Sequence, residues 1–193
     1  YLNSFFGIII FRYLIKVYLK NKLFCYLMSE LKLVVFDFDG VFTNCNYKVR
    51  DVNCKDTYGL LLLNKLYKIG ICTRSNGDHI PDIIKSRIDF VINNCTSKYE
   101  KIMELGYKEN EIAYMGDDTH DLECIKKFKY SACPKDAHPE VLKKARFISK
   151  FDGGKGAVRE FSDHIISHDG GITAIIPVRS GSTRCKNKNI RDF

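Results

Sequence analysis

The sequence predicts an α/β protein, a Rossmann-like three-layer sandwich with a parallel sheet at its centre. From residue 32 onward, short apolar runs alternate with amphipathic stretches. The runs are mostly continuous rather than alternating, as expected of strands covered on both faces, and strand–helix alternation of this kind implies a parallel sheet with helices on both sides. The third observation is chemical: several of the apolar runs end in a carboxylate, a hydroxyl or a glycine-acid turn, and in such sheets ligands bind beyond the carboxyl ends of the strands.

Strands are expected at 32–37, 69–73 (IGICT), 89–93 (DFVIN), 111–115 (EIAYM), 129–132 and 146–149, with helices between and after them at 57–68, 78–87, 98–106, 119–128, 137–145 and 157–167. Residues 41–55 (VFTNCNYKVRDVNCK) break the rhythm. Asn and Cys punctuate two short β-like pieces there, which predicts a hairpin projecting after the first strand. There is no internal repeat and no low-complexity tract.

The 193 residues suffice for one domain with a substantial core and the beginning of a second. Residues 1–27 hold eight of the 24 Tyr and Phe residues and no acid, but Arg12, Lys16, Lys20 and Lys22 interrupt them. That interruption leaves no run of the ~18 apolar residues a spanning helix needs, and neither a basic start nor a small-residue cleavage site marks a signal peptide. One reading of this leader is an interfacial helix with lysines along one edge. The plainer and preferred reading is that the native protein starts at Met28. The formal net charge of +8 resides at the ends. Residues 28–171 hold 22 basic and 22 acidic residues, so the central domain has no basic footprint for nucleic acid. Eight cysteines without a CxxC pair or metal spacing read as reduced thiols, and the expected location is the cytoplasm.

The rim formed by the strand ends is where chemistry is expected. The first strand runs into Asp37 and Asp39, the second ends in Thr73, Lys98 opens the helix after the third, and the fourth runs into Gly116, Asp117, Asp118 and Asp121. Carboxylates converging on one rim repel each other unless a cation lies among them. Hard oxygen ligands suit Mg²⁺, which keeps several waters and commonly bridges to phosphate. Thr73 and Lys98 then supply a hydroxyl and a positive charge for phosphate oxygens. Phosphate, Mg²⁺ and a carboxylate at a strand end together suggest phosphoryl transfer through an aspartate. Each motif alone also has a bland reading: Asp-Gly as a turn, GDD as a solvated loop, Thr73 as a helix cap, Lys98 as a surface lysine. Their order and placement together favour the chemical one. Asp37 and Asp39, two residues apart, share one side of an extended chain.

VVFDFDGVFT, Thr73, Lys98 and MGDDTHD resemble the four motifs of the haloacid dehalogenase-like phosphatases. More narrowly, SACPKDAHPEV and GGKGAVREF resemble the sugar-acid phosphatases acting on 3-deoxy-D-manno-octulosonate 8-phosphate (KDO 8-phosphate), and the resemblance covers about residues 31–167. It implies a capless haloacid dehalogenase-like fold with the 41–55 hairpin as a flap, and a homotetramer in which that flap covers a neighbour's active site. It further implies Asp37 as nucleophile and Mg²⁺ ligand, and Asp39 as general acid then base, its backbone carbonyl on the metal. Asp117 completes the protein ligands, Gly116, Asp118 and Asp121 orient the site from behind, and Thr73 and Lys98 hold the phosphoryl group. Lys155 and Arg159 are implied near the substrate's carboxylate or phosphate. The chain departs from the family's Thr-Gly-Arg with Thr73-Arg74-Ser75, which leaves Arg74 outside the expected site, and from its Asp-Gly-x-Gly with Asp56-Thr57-Tyr58-Gly59.

After Asp169-Gly170-Gly171, the tail ITAIIPVRSGSTRCKNKNIRDF begins a new strand and a Gly/Ser loop with basic residues. It resembles the opening of the CMP-sugar-acid cytidylyltransferases, with Arg179, Gly181, Ser182, Arg184, Lys188 and Asn189 matching their nucleotide loop. The expected organisation is therefore a leader over 1–27, a phosphatase domain over 28–168, and a linker with the start of a cytidylyltransferase over 169–193. The expected substrate is a sugar-acid phosphate, KDO 8-phosphate or an N-acylneuraminate 9-phosphate, with no nucleic-acid or membrane partner. Two other readings compete. A receiver domain also uses Asp, Mg²⁺, Thr and Lys, but places its phosphorylated Asp after a middle strand. The other is a catalytically idle phosphatase-like module that assembles a synthetase, and the intact set of Asp37, Asp39, Thr73, Lys98 and Asp117 argues against it.

Overall fold

A computed structural model describes residues 31–44 and 51–168. Among the described residues there are six strands, β1 (Leu33–Phe36), β2 (Lys68–Cys72), β3 (Phe90–Ile92), β4 (Ile112–Met115), β5 (Tyr130–Cys133) and β6 (Phe147–Ile148). They form one sheet in the order β3-β2-β1-β4-β5-β6, every neighbouring pair parallel. All six expected strands are present, each within two residues of its expected bounds. The helices are α1 (Cys54–Leu63), α2 (Asp82–Lys85), α3 (Lys98–Met103), α4 (Leu122–Lys127), α5 (Pro139–Leu142) and α6 (Ala157–His168). Most are shorter than expected: α2 keeps only four residues, and α4 is preceded by a separate 3₁₀ turn at Thr119–Asp121.

The continuous apolar run of β1 is explained by burial on both faces. Val34 and Phe36 pack on one side with Leu60 and Leu63 of α1 and Phe161 and Ile165 of α6. Leu33 and Val35 pack on the other with Ile102, Tyr114, Ile125 and Phe128. Period-two alternation thus exists in the strand, but both faces demand apolar residues. The register sets Phe36 beside Ile71 and Met115, so β1, β2 and β4 end level with one another.

The 41–55 segment resolves differently from expectation at its described ends. Residues 41–44 continue a turn, and α1 already begins at Cys54 with Asn53 as its cap, the side chain accepting from Lys55 N at 2.8 Å. The middle of the expected hairpin, 45–50, the leader and the 169–193 tail, including Arg179, Gly181, Ser182, Arg184 and Lys188, lie outside the described residues. Among the described residues no helix is long and apolar enough to cross a membrane, and Cys54, Cys72, Cys95, Cys124 and Cys133 are free thiols.

Candidate active site

The loop leaving β1 turns sharply. Asp37 N still bonds to Met115 O at 2.9 Å, continuing the sheet, and Phe42 N returns to Phe38 O at 2.9 Å. Phe38 is fully buried, stacked on Phe42 at a centroid distance of 5.9 Å. The turn is therefore anchored by its aromatic residues, and the acids on either side of Phe38 are held at the rim.

Asp37 is buried, and its Oδ1 accepts from Phe38 N at 2.8 Å and lies 2.9 Å from Lys98 Nζ. Lys98, the first residue of α3, is buried too and reaches Asp121 Oδ1 at 2.6 Å. Asp121 has no exposed surface and is fully occupied as an acceptor. Tyr114 OH donates to its Oδ1 at 2.6 Å, and the backbone N–H groups of Asp117 and Asp118 donate to Oδ2 at 3.0 and 3.2 Å. Asp121 thus clamps the loop that carries Asp117. Asp118 caps the 3₁₀ turn, its side chain accepting from Thr119 N at 2.6 Å.

Asp117 is the unusual member. Its Oδ1 is buried and has no hydrogen-bond partner among the described residues, a costly state for a carboxylate oxygen. Gly40, with φ of +83°, makes room for it: a Cβ at position 40 would stand 2.0 Å from Asp117 Oδ2. One carboxylate oxygen from each of Asp37, Asp117 and Asp121 lies within 4.8 Å of the others. Burial, then the charge of Asp121, pushes Asp37 up to about 7 against the opposing pull of Lys98. Burial, then the charges of Asp37 and Asp121, pushes Asp117 up to about 8. Both shifts mark a site built for a positive charge. The oxygen-only donor set and the orphaned Asp117 Oδ1 fit a hard divalent cation such as Mg²⁺. Asp121, already saturated, is better suited to holding the loop than to ligation.

Thr73 follows β2 and is buried, with its N–H on Ile92 O at 2.9 Å and its carbonyl accepting from Cys95 N at 3.1 Å. Its Oγ1 lies 3.0 Å from Ser75 Oγ and accepts from Ser75 N at 3.2 Å. Arg74 projects instead to His120, joining the loops after β2 and β4 across the rim. Asp39 Oδ2 pairs with His79 Nε2 at 3.2 Å.

Lys155 and Arg159 make their contacts elsewhere: Lys155 with Asp152 at 2.9 Å, Arg159 with Asp163 at 2.8 Å and over the ring of Tyr58. With Lys55 and Phe151 they line a shallow pocket at the start of α6. The glycine turn before them does reach the loop after β1, since Gly154 N donates to Val41 O at 2.9 Å.

Three contributors escape motif reading. Tyr114 looks like any strand aromatic, and only its depth beside Asp121 gives it a polar task. Ser75 lies in the turn-like SNG, and His79 falls at the start of the expected 78–87 helix, where nothing in the sequence marks a polar task.

A family model of haloacid dehalogenase-like hydrolases matches residues 84–161. The 3-deoxy-D-manno-octulosonate 8-phosphate phosphatase of Yersinia pestis is 27% identical over 155 residues, covering 72% of this chain and 81% of that protein. The phosphatase of the same name from Escherichia coli K12 is 26% identical, covering 74% and 82%. Among solved structures, a probable YrbI-family phosphatase from Pseudomonas syringae superposes with a TM-score of 0.68 at 27% identity, covering 75% of this chain and 89% of that one. The Y. pestis phosphatase gives a TM-score of 0.65 at 26% identity, covering 74% and 84%. The six-stranded parallel sheet with its flanking helices is therefore the α/β fold of the haloacid dehalogenase-like phosphatases, and this chain is similar to their KDO 8-phosphate-hydrolysing members over 72% of its length.

Proposed function

We propose that this protein is a Mg²⁺-dependent phosphatase of a sugar-acid phosphate, working through an aspartyl-phosphate at Asp37. It is an enzyme, a phosphoric monoester hydrolase. The observation that carries the mechanism is the meeting of buried Asp37 and Lys98 with half-buried Asp117, whose buried Oδ1 lacks any partner among the described residues.

Asp37 and Asp117, with the backbone carbonyl of Asp39, would hold Mg²⁺. When bound, the ion supplies the positive charge that keeps both carboxylates ionised and offsets the charge of the phosphoryl oxygens. Asp37 Oδ attacks phosphorus while the bond to the sugar oxygen breaks, and Asp39 gives its proton to that leaving oxygen. Water then attacks the phosphoryl group on Asp37, giving up a proton to Asp39, and the P–Oδ bond breaks to release inorganic phosphate. Lys98, held between Asp37 and Asp121, brings a fixed cation to the phosphoryl oxygens, and Thr73 adds a hydroxyl.

The substrate class follows from the relatives, which are named as KDO 8-phosphate phosphatases. This favours KDO 8-phosphate over an N-acylneuraminate 9-phosphate. Lys155, on a turn tied to the loop after β1, and Arg159, in the first turn of α6, are assigned to the acid end of the substrate, and a homotetramer completing the site with the flap expected after the first strand belongs to the same reading. The tail's likeness to a cytidylyltransferase start accords with it, because activation with CMP follows dephosphorylation for such acids.

The test is phosphate release by the full chain with Mg²⁺ from the two sugar acids. Turnover of KDO 8-phosphate, lost in Asp37→Asn and in EDTA, is expected. Activity surviving either treatment sinks the mechanism, and an intact protein that hydrolyses neither substrate is the idle module.

A further inference from the structure

The second acid of the first motif has a partner that no motif announces. His79 Nε2 lies 3.2 Å from Asp39 Oδ2, and the His79 side chain is only 15% exposed. Its ring is fixed from two sides. Phe38, the residue between the two acids, packs against it at a centroid distance of 5.1 Å. Ser75 Oγ lies 3.5 Å from Nδ1 and 3.4 Å from Nε2, and is itself 3.0 Å from Thr73 Oγ1. The next residue, Ile80, is buried with its N–H on Gly77 O at 3.2 Å, which pins the turn presenting the histidine.

With its proton on Nε2 the ring donates to Asp39, while the Ser75 hydroxyl stands about equally near both ring nitrogens. Thr73, Ser75, His79 and Asp39 then form one polar chain from the expected phosphate hydroxyl to the expected proton carrier. Ser75 is one of the residues by which this chain departs from Thr-Gly-Arg, so the departure has a structural use.

We infer that His79 is a positioning residue that aims the Asp39 carboxyl at the leaving oxygen. Asp39 sits on a turn rather than in the strand. Proton transfer requires it within hydrogen-bond reach of that oxygen, and small misplacement is expensive in rate. A directed hydrogen bond from a ring packed on Phe38 fixes where Asp39 Oδ2 stands. The inference rests on the phosphatase reading above.

The experiment compares KDO 8-phosphate, an alkyl ester whose leaving oxygen needs a proton, against p-nitrophenyl phosphate, whose phenolate departs without one. First-turnover rates are measured with Mg²⁺ for the full chain, His79→Ala and His79→Gln, whose amide also donates. We expect His79→Ala to lower the alkyl-to-aryl rate ratio by about tenfold or more, with KM for the alkyl ester within about twofold and with most of the ratio restored in His79→Gln. Equal loss on both esters, a change in KM alone, or no rescue by Gln assigns His79 to packing and overturns the inference. A wild-type chain that hydrolyses neither ester overturns the phosphatase reading itself. An activity-independent measurement separates the two. In ¹⁵N spectra the His79 ring should hold its proton on Nε2 and shift in Asp39→Ala. A ring averaging between tautomers overturns the pairing whatever the activity.

Discussion

Lys98 Nζ stands 2.6 Å from Asp121 Oδ1, with both side chains sealed from solvent. Burial alone would push the ammonium towards neutrality, but Asp121 and then Asp37 reverse that and hold Lys98 charged, above its ordinary range. Removing the lysine leaves two buried carboxylates facing each other. Lys98→Met should therefore destabilise the protein by about 3–5 kcal/mol, read from urea unfolding, because an uncompensated buried charge remains. The double variant Lys98→Met/Asp121→Asn should recover part of that stability but none of the activity. A double variant no more stable than the single one would show that the pair is not the unit.

The acid cluster also sets a pH dependence. In the metal-free protein Asp37 and Asp117 keep their protons to about 7 and about 8, against 3.8 for ordinary aspartates. Between those limits the folded state binds more protons than the unfolded one, so the pair's contribution to stability is full below about pH 4 and is lost as pH rises to about 8. The slope is about 1.4 kcal/mol per pH unit for each carboxyl involved. Millimolar Mg²⁺ should raise the melting temperature more at pH 8 than at pH 5, since a protonated carboxyl is a poor ligand. Asp117→Asn should flatten the metal-free profile and shrink the Mg²⁺ effect. A pH-independent melting temperature without metal would contradict the cluster's electrostatics.

Gly40 gives a narrower test. Its φ of +83° already disfavours a side chain, and a Cβ would stand 2.0 Å from Asp117 Oδ2 and 2.6 Å from Oδ1. Gly40→Ala must therefore displace Asp117 as well as strain the turn, the strain alone costing about 1–2 kcal/mol. The expected result is a loss of phosphatase activity of at least about 100-fold, together with weakened Mg²⁺-dependent thermal stabilisation. Loss of stability with full activity would place Asp117 outside the machinery.

The order of the strands along the chain was legible because each β-run is short, apolar and followed by a helix pattern, and β1 hides its alternation only by being buried twice. The order across the sheet, with β1 between β2 and β4, is invisible in the sequence, and it is what brings Asp37, Thr73 and Asp117 level. Helix lengths were overestimated where a turn interrupts the periodicity, as at Thr119–Asp121. Asp37, Lys98 and Asp121 could be named from strand ends. His79 and Tyr114 could not, since their partners lie 40 and seven residues away and nothing local marks the contact.

Asp56 shows the same limit and supports a last prediction. In the sequence it stands at a degenerate Asp-Gly-x-Gly. In the fold it is fully buried in α1, where its Oδ2 accepts from Gly156 N at 3.0 Å and its Oδ1 from Arg159 N at 2.9 Å. It therefore caps α6 from 100 residues away and replaces the missing local cap. Gly59, one turn on, lets the two helices meet, since a Cβ there would stand 2.8 Å from Ser162 Oγ and 3.1 Å from the Arg159 backbone. Burial pushes the Asp56 carboxyl up, opposed by the N–H donors of Arg159 and Gly156. Asp56→Ala should thus leave buried donors unsatisfied and cost about 2–4 kcal/mol, while Asp56→Asn, which keeps an acceptor, should cost less. Because α6 follows the glycine turn tied to Val41, hydrogen exchange in Asp56→Ala should rise first in residues 153–160. If exchange instead rises uniformly across the sheet, the cap is part of the global core and not a local tether of that turn.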